Sequence, residues 1–217
     1  IVMDLIFDIE TNGLHPSLIH CITAIDVDSG VAYDWKPDAV EDGIRFLQTA
    51  KRLIAHNGIG YDIPVIRRLH PWFNIKDEQV MDTLTLSRLI WADLADKDYA
   101  QIAKGSKIGK LAGSHSLAAW GHRLDEHKGD YSGGWDEWSE EMHSYAKQDC
   151  VVTLKLWKLI EGKSYSQQAI DLEHKVAWIM AAAERKGIGF DVEAANSLTA
   201  NLLATKSNLE AELQNTF

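Results

Sequence analysis

Acidic residues recur in three separated fragments of this chain, and a fold that gathers them must place repelling charges side by side. The fragments are Phe7-Asp8-Ile9-Glu10-Thr11, Asn57 followed by Tyr61-Asp62, and Tyr145-Ala146-Lys147-Gln148-Asp149. Four carboxylates in one place repel unless cations sit between them. Hard oxygen ligands suit magnesium or manganese rather than zinc. A pair of such cations is a device for breaking phosphodiester bonds.

Each fragment has a local reading. Val2-Met3-Asp4-Leu5-Ile6-Phe7 is apolar and β-branched and reads as a mostly buried strand. Asp8 and Glu10 lie two apart on its continuation, and alternate strand residues face the same side, so both can grip one ion. A solvated strand end is the plainer alternative. Lys51–His56 reads as a second short buried strand, with Asn57-Gly58-Ile59-Gly60 as the turn leaving it. Tyr61-Asp62-Ile63-Pro64 then opens a helix, where a negative charge in the first turn is favourable whatever its function. Glu137 to Ile160 keeps a helical rhythm, with Met142, Ala146, Val152, Leu156 and Leu159 facing inward. Tyr145 and Asp149 are four apart, on one face, at about 5–6 Å between Cβ atoms. By itself that pair also suits a surface helix. The three fragments in this order are far more specific than any one of them.

The remaining elements complete an α/β pattern. His20–Asp26 and Gly30–Trp35 form a predicted hairpin around Asp28-Ser29-Gly30. A helix near Asp38–Ala50 precedes the strand at Leu53, and Gln79–Thr83 supplies a fifth strand. A helix over Leu84–Leu94 follows, with Asp82 as its cap. Lys104–Gly113 and Gly129–Gly134 read as exposed connections. After about Gly162 the composition shifts. Leu172, Val176, Ile179 and Ala183 mark one helical stripe, which Gly187 stops, and Leu198, Leu202, Leu209 and Leu213 mark another.

Composition narrows the class. The 217 residues are 46% hydrophobic, enough for one substantial core plus an appendage. No apolar stretch reaches the roughly 20 residues that span a bilayer, and no signal-peptide pattern opens the chain, so no membrane partner and a cytoplasmic location are expected. Cys21 and Cys150 are too few for a disulfide framework, and Cys150 reads as a small core residue. The net charge is −10, whereas a nucleic-acid binder is usually basic. Bound cations would invert the field that a phosphate meets at the site. Weak affinity for DNA in their absence is expected.

The fragments resemble the three motifs of the Asp-Glu-Asp-Asp exonuclease superfamily, Asp-x-Glu, Asn-(x)-Tyr-Asp and Tyr-x-x-x-Asp. The tyrosine subclass is indicated, because the sister subclass places a histidine where this chain has Ser144, and His143 is one residue out of frame. Met81–Ile90, Gly113–Gly121 and Leu172–Trp178 are similar to the phage branch of family A DNA polymerases, the T-odd coliphage type, and the similarity runs the length of the chain. The segment between Tyr131 and Trp138 is shorter than in many such polymerases.

The resemblance implies a ribonuclease H-like α/β fold, a mixed five-stranded sheet flanked by helices with a C-terminal helical appendage. It implies an exonuclease domain over 1–165 and the opening of a polymerase portion over 166–217. Asp8, Glu10, Asp62 and Asp149 would hold two divalent cations, Mg²⁺ with Mn²⁺ possible, and Tyr145 would orient the attacking water. Thr11, Leu14, Asn57 and Tyr61 would touch the substrate, with Leu14 either a wedge between bases or a plug in the core. The expected partners are a single-stranded or frayed DNA 3′ end and a polymerase domain. Lys104, Lys107 and Lys110 either meet phosphate or form a solvated loop, and His56 and His115 have structural roles. An RNA-trimming exonuclease of the same superfamily and a catalytically silent docking domain are the alternatives.

Overall fold

Leu5-Ile6-Phe7 is shielded on both sides, because the strand that it opens lies at the centre of the sheet. The structure, a computed structural model, describes residues 3–127, 129 and 131–216. Val2 and Asp130, which fall in the predicted first strand and in the 129–134 connection, lie outside the described residues. Two compact units are present, one ending at Ala181 and one beginning at Ala182.

In the first unit, β1 (Asp4–Thr11), β2 (Ile19–Asp26), β3 (Ala32–Trp35), β4 (Arg52–Ala55) and β5 (Val80–Asp82) form one sheet in the order β3-β2-β1-β4-β5. β1 pairs antiparallel with β2 and parallel with β4, and β4 pairs parallel with β5. Gly30, at φ 72°, turns the chain between β2 and β3, and Asp26 accepts from the Ser29 amide and hydroxyl to brace that turn.

One face of the sheet carries α1 (Val40–Leu47) and α2 (Asp62–Leu69). There Leu5, Phe7 and Ile9 share a core with Ile44, Leu47, Ile63 and Ile66. The other face carries α3 (Thr83–Ile90), α4 (Leu94–Ile102), α5 (Leu117–Arg123) and α6 (Glu140–Glu161), where Ile6 meets Leu86, Leu94, Trp120, Cys150 and Leu156. The sequence placed a single helix over Leu84–Leu94. Instead α3 stops at Ile90, Trp91 leaves helical geometry at ψ 57°, and Leu94 starts a new axis. Trp91 then packs against Trp120 at 4.8 Å between ring centroids, a tertiary contact that outweighs local helical preference. α6 begins at Glu140 rather than at Glu137, capped by Ser139, whose hydroxyl accepts from the Met142 amide.

α7 (Gln167–Lys186) contains the division between the units, and α8 (Val192–Thr216) belongs to the second. Leu198, Leu202, Leu209 and Leu213 of α8 are all more than half exposed. Among the described residues no helix is long and apolar enough to cross a membrane.

Candidate active site

The last residue of β1 paired with β4 is Ile6, so Asp8, Glu10 and Thr11 run on beyond the carboxyl end of the parallel ladder. Ligands of open α/β sheets bind at that edge. Asp8 and Glu10 share the parity of Ile6 and therefore face the side covered by α6. Asp8 pairs with Thr23 across the β1–β2 ladder, and Glu10 pairs with Cys21. The Thr23 hydroxyl donates to the Ala146 carbonyl at 3.2 Å and lies 3.1 Å from the Cys150 sulfur. The strand residue opposite Asp8 thus holds the turn of α6 on which Asp149 sits. Asp149 is buried, and Tyr145, one turn earlier, borders a cleft of ≈ 360 Å³ with His122, His127 and Tyr131.

The loop from β4 to α2 brings in the third fragment. Asn57 adopts φ 69°, which asparagine tolerates better than most residues. Its carbonyl accepts from the Gly60 and Tyr61 amides, both at 3.0 Å. The bend is tight: a Cβ on Gly58 would stand 2.7 Å from the Ala55 Cβ, and one on Gly60 would stand 2.5 Å from Asn57 Oδ1 and push that side chain aside. Asp62 follows in the first turn of α2 and is 5% exposed. The Thr11 and Tyr61 hydroxyls lie 2.5 Å apart, and both reach the Gly13 carbonyl, at 3.0 and 2.6 Å. Tyr61 therefore uses its hydroxyl to anchor the loop that presents Leu14. Leu14 is 85% exposed, which excludes a core plug. Asn12 Oδ1 closes the same loop by accepting from the Ser17 and Leu18 amides.

Electrostatics tie the fragments together. Burial first, then the Asp82 and Asp149 charges, push the Asp62 carboxyl up to about 7, against hydrogen bonds from its own amide and that of Ile9. The Cys150 thiol is raised well above its ordinary value by burial and then by Asp8, with Asp149 and Asp62 adding to it. Cys21 is pushed up to about 12 by burial, then by Glu10 and Asp8. Both cysteines are free and buried, and with their thiols held protonated neither is an activated nucleophile. One thiol thus feels carboxylates from β1, α2 and α6 at once.

Among the described residues no three His, Cys, Asp or Glu side chains form a ready-made metal cluster. The donor set nevertheless suits hard divalent cations, being carboxylate oxygen throughout and already under mutual repulsion. The three histidines that the sequence singled out have hydroxyl or carboxylate partners. His56 Nδ1 lies 2.9 Å from the Thr83 hydroxyl, His115 Nδ1 3.0 Å from the Ser87 hydroxyl, and His143 Nε2 2.7 Å from Asp34 Oδ2. Asp82 caps α3, accepting from the Leu84 and Thr85 amides, as the sequence suggested. Thr23, which no motif marks, is the addition that the structure makes. Only its register opposite Asp8 reveals it.

A mixed sheet of this order, with acidic residues at the carboxyl end of its central strand and on a helix crossing behind it, defines a nuclease-type α/β architecture. Residues 5–161 match the RNase_H_2 family, and the chain belongs to the RNase_H superfamily. It is also 33% identical, over 263 residues, to the DNA-directed DNA polymerase of Enterobacteria phage T3 and to that of Escherichia phage T7. Each alignment covers 98% of this chain but only 37% of the relative's length. A zinc-bound complex of Escherichia coli ExoI with single-stranded DNA aligns with a TM-score of 0.49 and 18% identity, covering 75% of this chain and 41% of that one.

Proposed function

We propose that the chain is a metal-dependent 3′→5′ exonuclease that removes nucleoside 5′-monophosphates from DNA 3′ ends. Residues 1–165 form its nuclease portion, and 166–217 open the polymerase portion that it proofreads for. The observation that carries this reading is that Thr23, opposite Asp8 in the β1–β2 ladder, touches the turn of α6 that bears buried Asp149, while Asp62 lies buried in the first turn of α2. The phage polymerases that match nearly the whole chain support DNA as the substrate and a polymerase domain as the partner.

Asp8, Glu10 and Asp149 would hold one divalent cation, and Asp8 and Asp62 a second, Mg²⁺ or Mn²⁺. Such ions, when bound, acidify water and stabilise the attacking and leaving oxygens of an in-line displacement. The chain supplies the rest. Tyr145 lies one turn from Asp149 on α6 and orients the attacking water with its phenol. Leu14, on its braced loop, offers an apolar face to the last base, and Asn57 and Tyr61 border the terminal nucleotide.

The deciding experiment incubates the chain with end-labelled single-stranded DNA and RNA, with magnesium or with chelator. Stepwise shortening of DNA from its 3′ end, only with the metal and lost in Asp8→Ala, is the expected result. Because the loss of outer-shell partners alone costs about 10–100-fold in metal affinity or activity, removing Asp8 should cost more. Preferential shortening of RNA would favour the trimming alternative, and no shortening of either would favour a silent docking domain.

A further inference from the structure

Asp82 does more than cap its own helix. Its buried carboxylate accepts from the Leu84 and Thr85 amides of α3 and also from the Asn57 amide at 3.2 Å and the Ile59 amide at 3.0 Å. Four backbone donors from two elements thus share one side chain, and two of them belong to the loop that leads into Asp62. The backbone amide of Asp82 in turn donates to His174 Nε2 at 2.9 Å. An Nε2 that accepts belongs to a neutral imidazole with its proton on Nδ1, and Nδ1 lies 2.8 Å from the Ile170 carbonyl of α7. Both ring nitrogens are therefore committed, and His174 is only 7% exposed. A continuous path of hydrogen bonds runs from α7 through Asp82 to the backbone of the Asn57–Asp62 loop.

Capping an edge-strand amide would by itself account for the histidine. It would not account for the same residue, Asp82, gripping both the helix start and the loop. We infer that His174 is a positioning residue for the proposed cleavage. Through Asp82 it fixes the β4–α2 loop in the arrangement that Asp62 needs to serve as a metal ligand. This rests on the nuclease reading. It makes the first half of α7, which opens the proposed polymerase portion, a support of the hydrolytic site.

The test uses the full chain with His174→Leu, which removes the acceptor, and His174→Gln, whose amide oxygen can replace Nε2. Folding is followed by circular dichroism, and Mn²⁺ binding by the electron paramagnetic resonance signal of the free ion. Cleavage of end-labelled DNA gives kcat and KM separately. In a folded His174→Leu, Mn²⁺ affinity should fall about 10-fold or more, the usual cost of losing an outer-shell partner. Its kcat should fall with KM for DNA unchanged, and His174→Gln should recover most of both losses. A folded His174→Leu with wild-type Mn²⁺ affinity and kcat overturns the inference, as does a His174→Gln no better than the leucine variant.

If His174→Leu does not fold, hydrogen exchange in the unaltered chain decides. The Asn57 and Ile59 amides must be protected as deeply as that of Asp82. Free exchange of the pair beside a protected Asp82 overturns the link. Failure of the unaltered chain to cut DNA with magnesium would instead sink the nuclease reading, and the Mn²⁺ and exchange measurements would still judge the link by themselves.

Discussion

The Thr23 hydroxyl lies 3.1 Å from the Cys150 sulfur, so the partner of Asp8 in the β1–β2 ladder touches the residue after Asp149. Strand and helix are thereby held in a fixed register at the point where their carboxylates must meet. Thr23→Val keeps the shape and removes the hydroxyl. Stability should fall by about 1 kcal/mol, the usual net value of a buried hydrogen bond. Cleavage should become more dependent on metal concentration. Urea unfolding and a magnesium titration of cleavage rate check the two halves, and a folded variant with an unchanged titration would show that the register does not depend on this contact.

Asp62 illustrates stability given up at the candidate site. Burial, with Asp82 and Asp149 nearby, raises its carboxyl to about 7, which means that the ionised form is disfavoured in the folded chain. Asp62→Asn removes that charge and keeps an oxygen able to accept from the Ile9 amide. In chelator at pH 8 the variant should therefore melt higher than the unaltered chain, by about 2–4 °C for each kcal/mol of repulsion relieved. Its magnesium-dependent cleavage should be lost at the same time. Thermal melts and cleavage assays on one preparation test both, and a variant less stable in chelator would contradict the repulsion argument.

What the sequence made legible follows from how locally each signal is encoded. β1 is visible because Leu5, Ile6 and Phe7 are shielded on both faces and the alternation after them places Asp8 and Glu10 together. The cap at Asp82 is visible because the amides that it binds are two and three residues away. The same carboxylate's bonds to Asn57 and Ile59, and its amide's bond to His174, join residues 23 to 92 positions apart, and no periodicity announces them. The break between α3 and α4 was hidden for a related reason. Leu84 to Leu94 has a good helical rhythm, and the chain departs from it because Trp91 gains a packing partner in Trp120. Each acidic motif is a short local pattern and could be read as such, whereas the contacts that brace the loop and the helix join distant positions and could not.

Asp98 and Arg123 form a largely buried ion pair on α4 and α5, with Arg123 Nη2 and Nε donating to the two carboxylate oxygens at 2.6 and 3.1 Å. Burial alone would raise the Asp98 carboxyl, but the bonds from Arg123 and from the Gly113 amide outweigh it and hold it below its ordinary 3.8. A depressed carboxylate stabilises the fold fully above its unfolded value, and that contribution is lost as pH falls through the folded one. Asp98→Asn leaves Arg123 without its anion and should cost about 3 kcal/mol near neutral pH. Below pH 3.8 the unaltered chain should begin to lose the pair's contribution as Asp98 takes up a proton, so the two melting curves should draw together. Melting temperatures measured from pH 7 down to pH 3 decide it, and a gap that stays constant would mean that the pair contributes no pH-dependent stability.

The acidity of the chain sets the last expectation. A net charge of −10 repels a polyanion, and the candidate site adds to this with the carboxylates of Asp8, Asp62 and Asp149 around Cys150. Affinity for single strands depends on neutralising phosphates with basic groups. Lys104, Lys107 and Lys110 are exposed on the connection between α4 and α5 and offset only part of that charge. Attraction for phosphate at the site must then come from bound cations, which reverse the local field. Fluorescence anisotropy of a labelled oligonucleotide should therefore give a dissociation constant in the micromolar range or weaker in chelator, tightening when a divalent ion that does not support cleavage is added. Submicromolar binding in chelator would locate the DNA contacts outside the carboxylate cluster and remove the electrostatic reason for assigning cations to it.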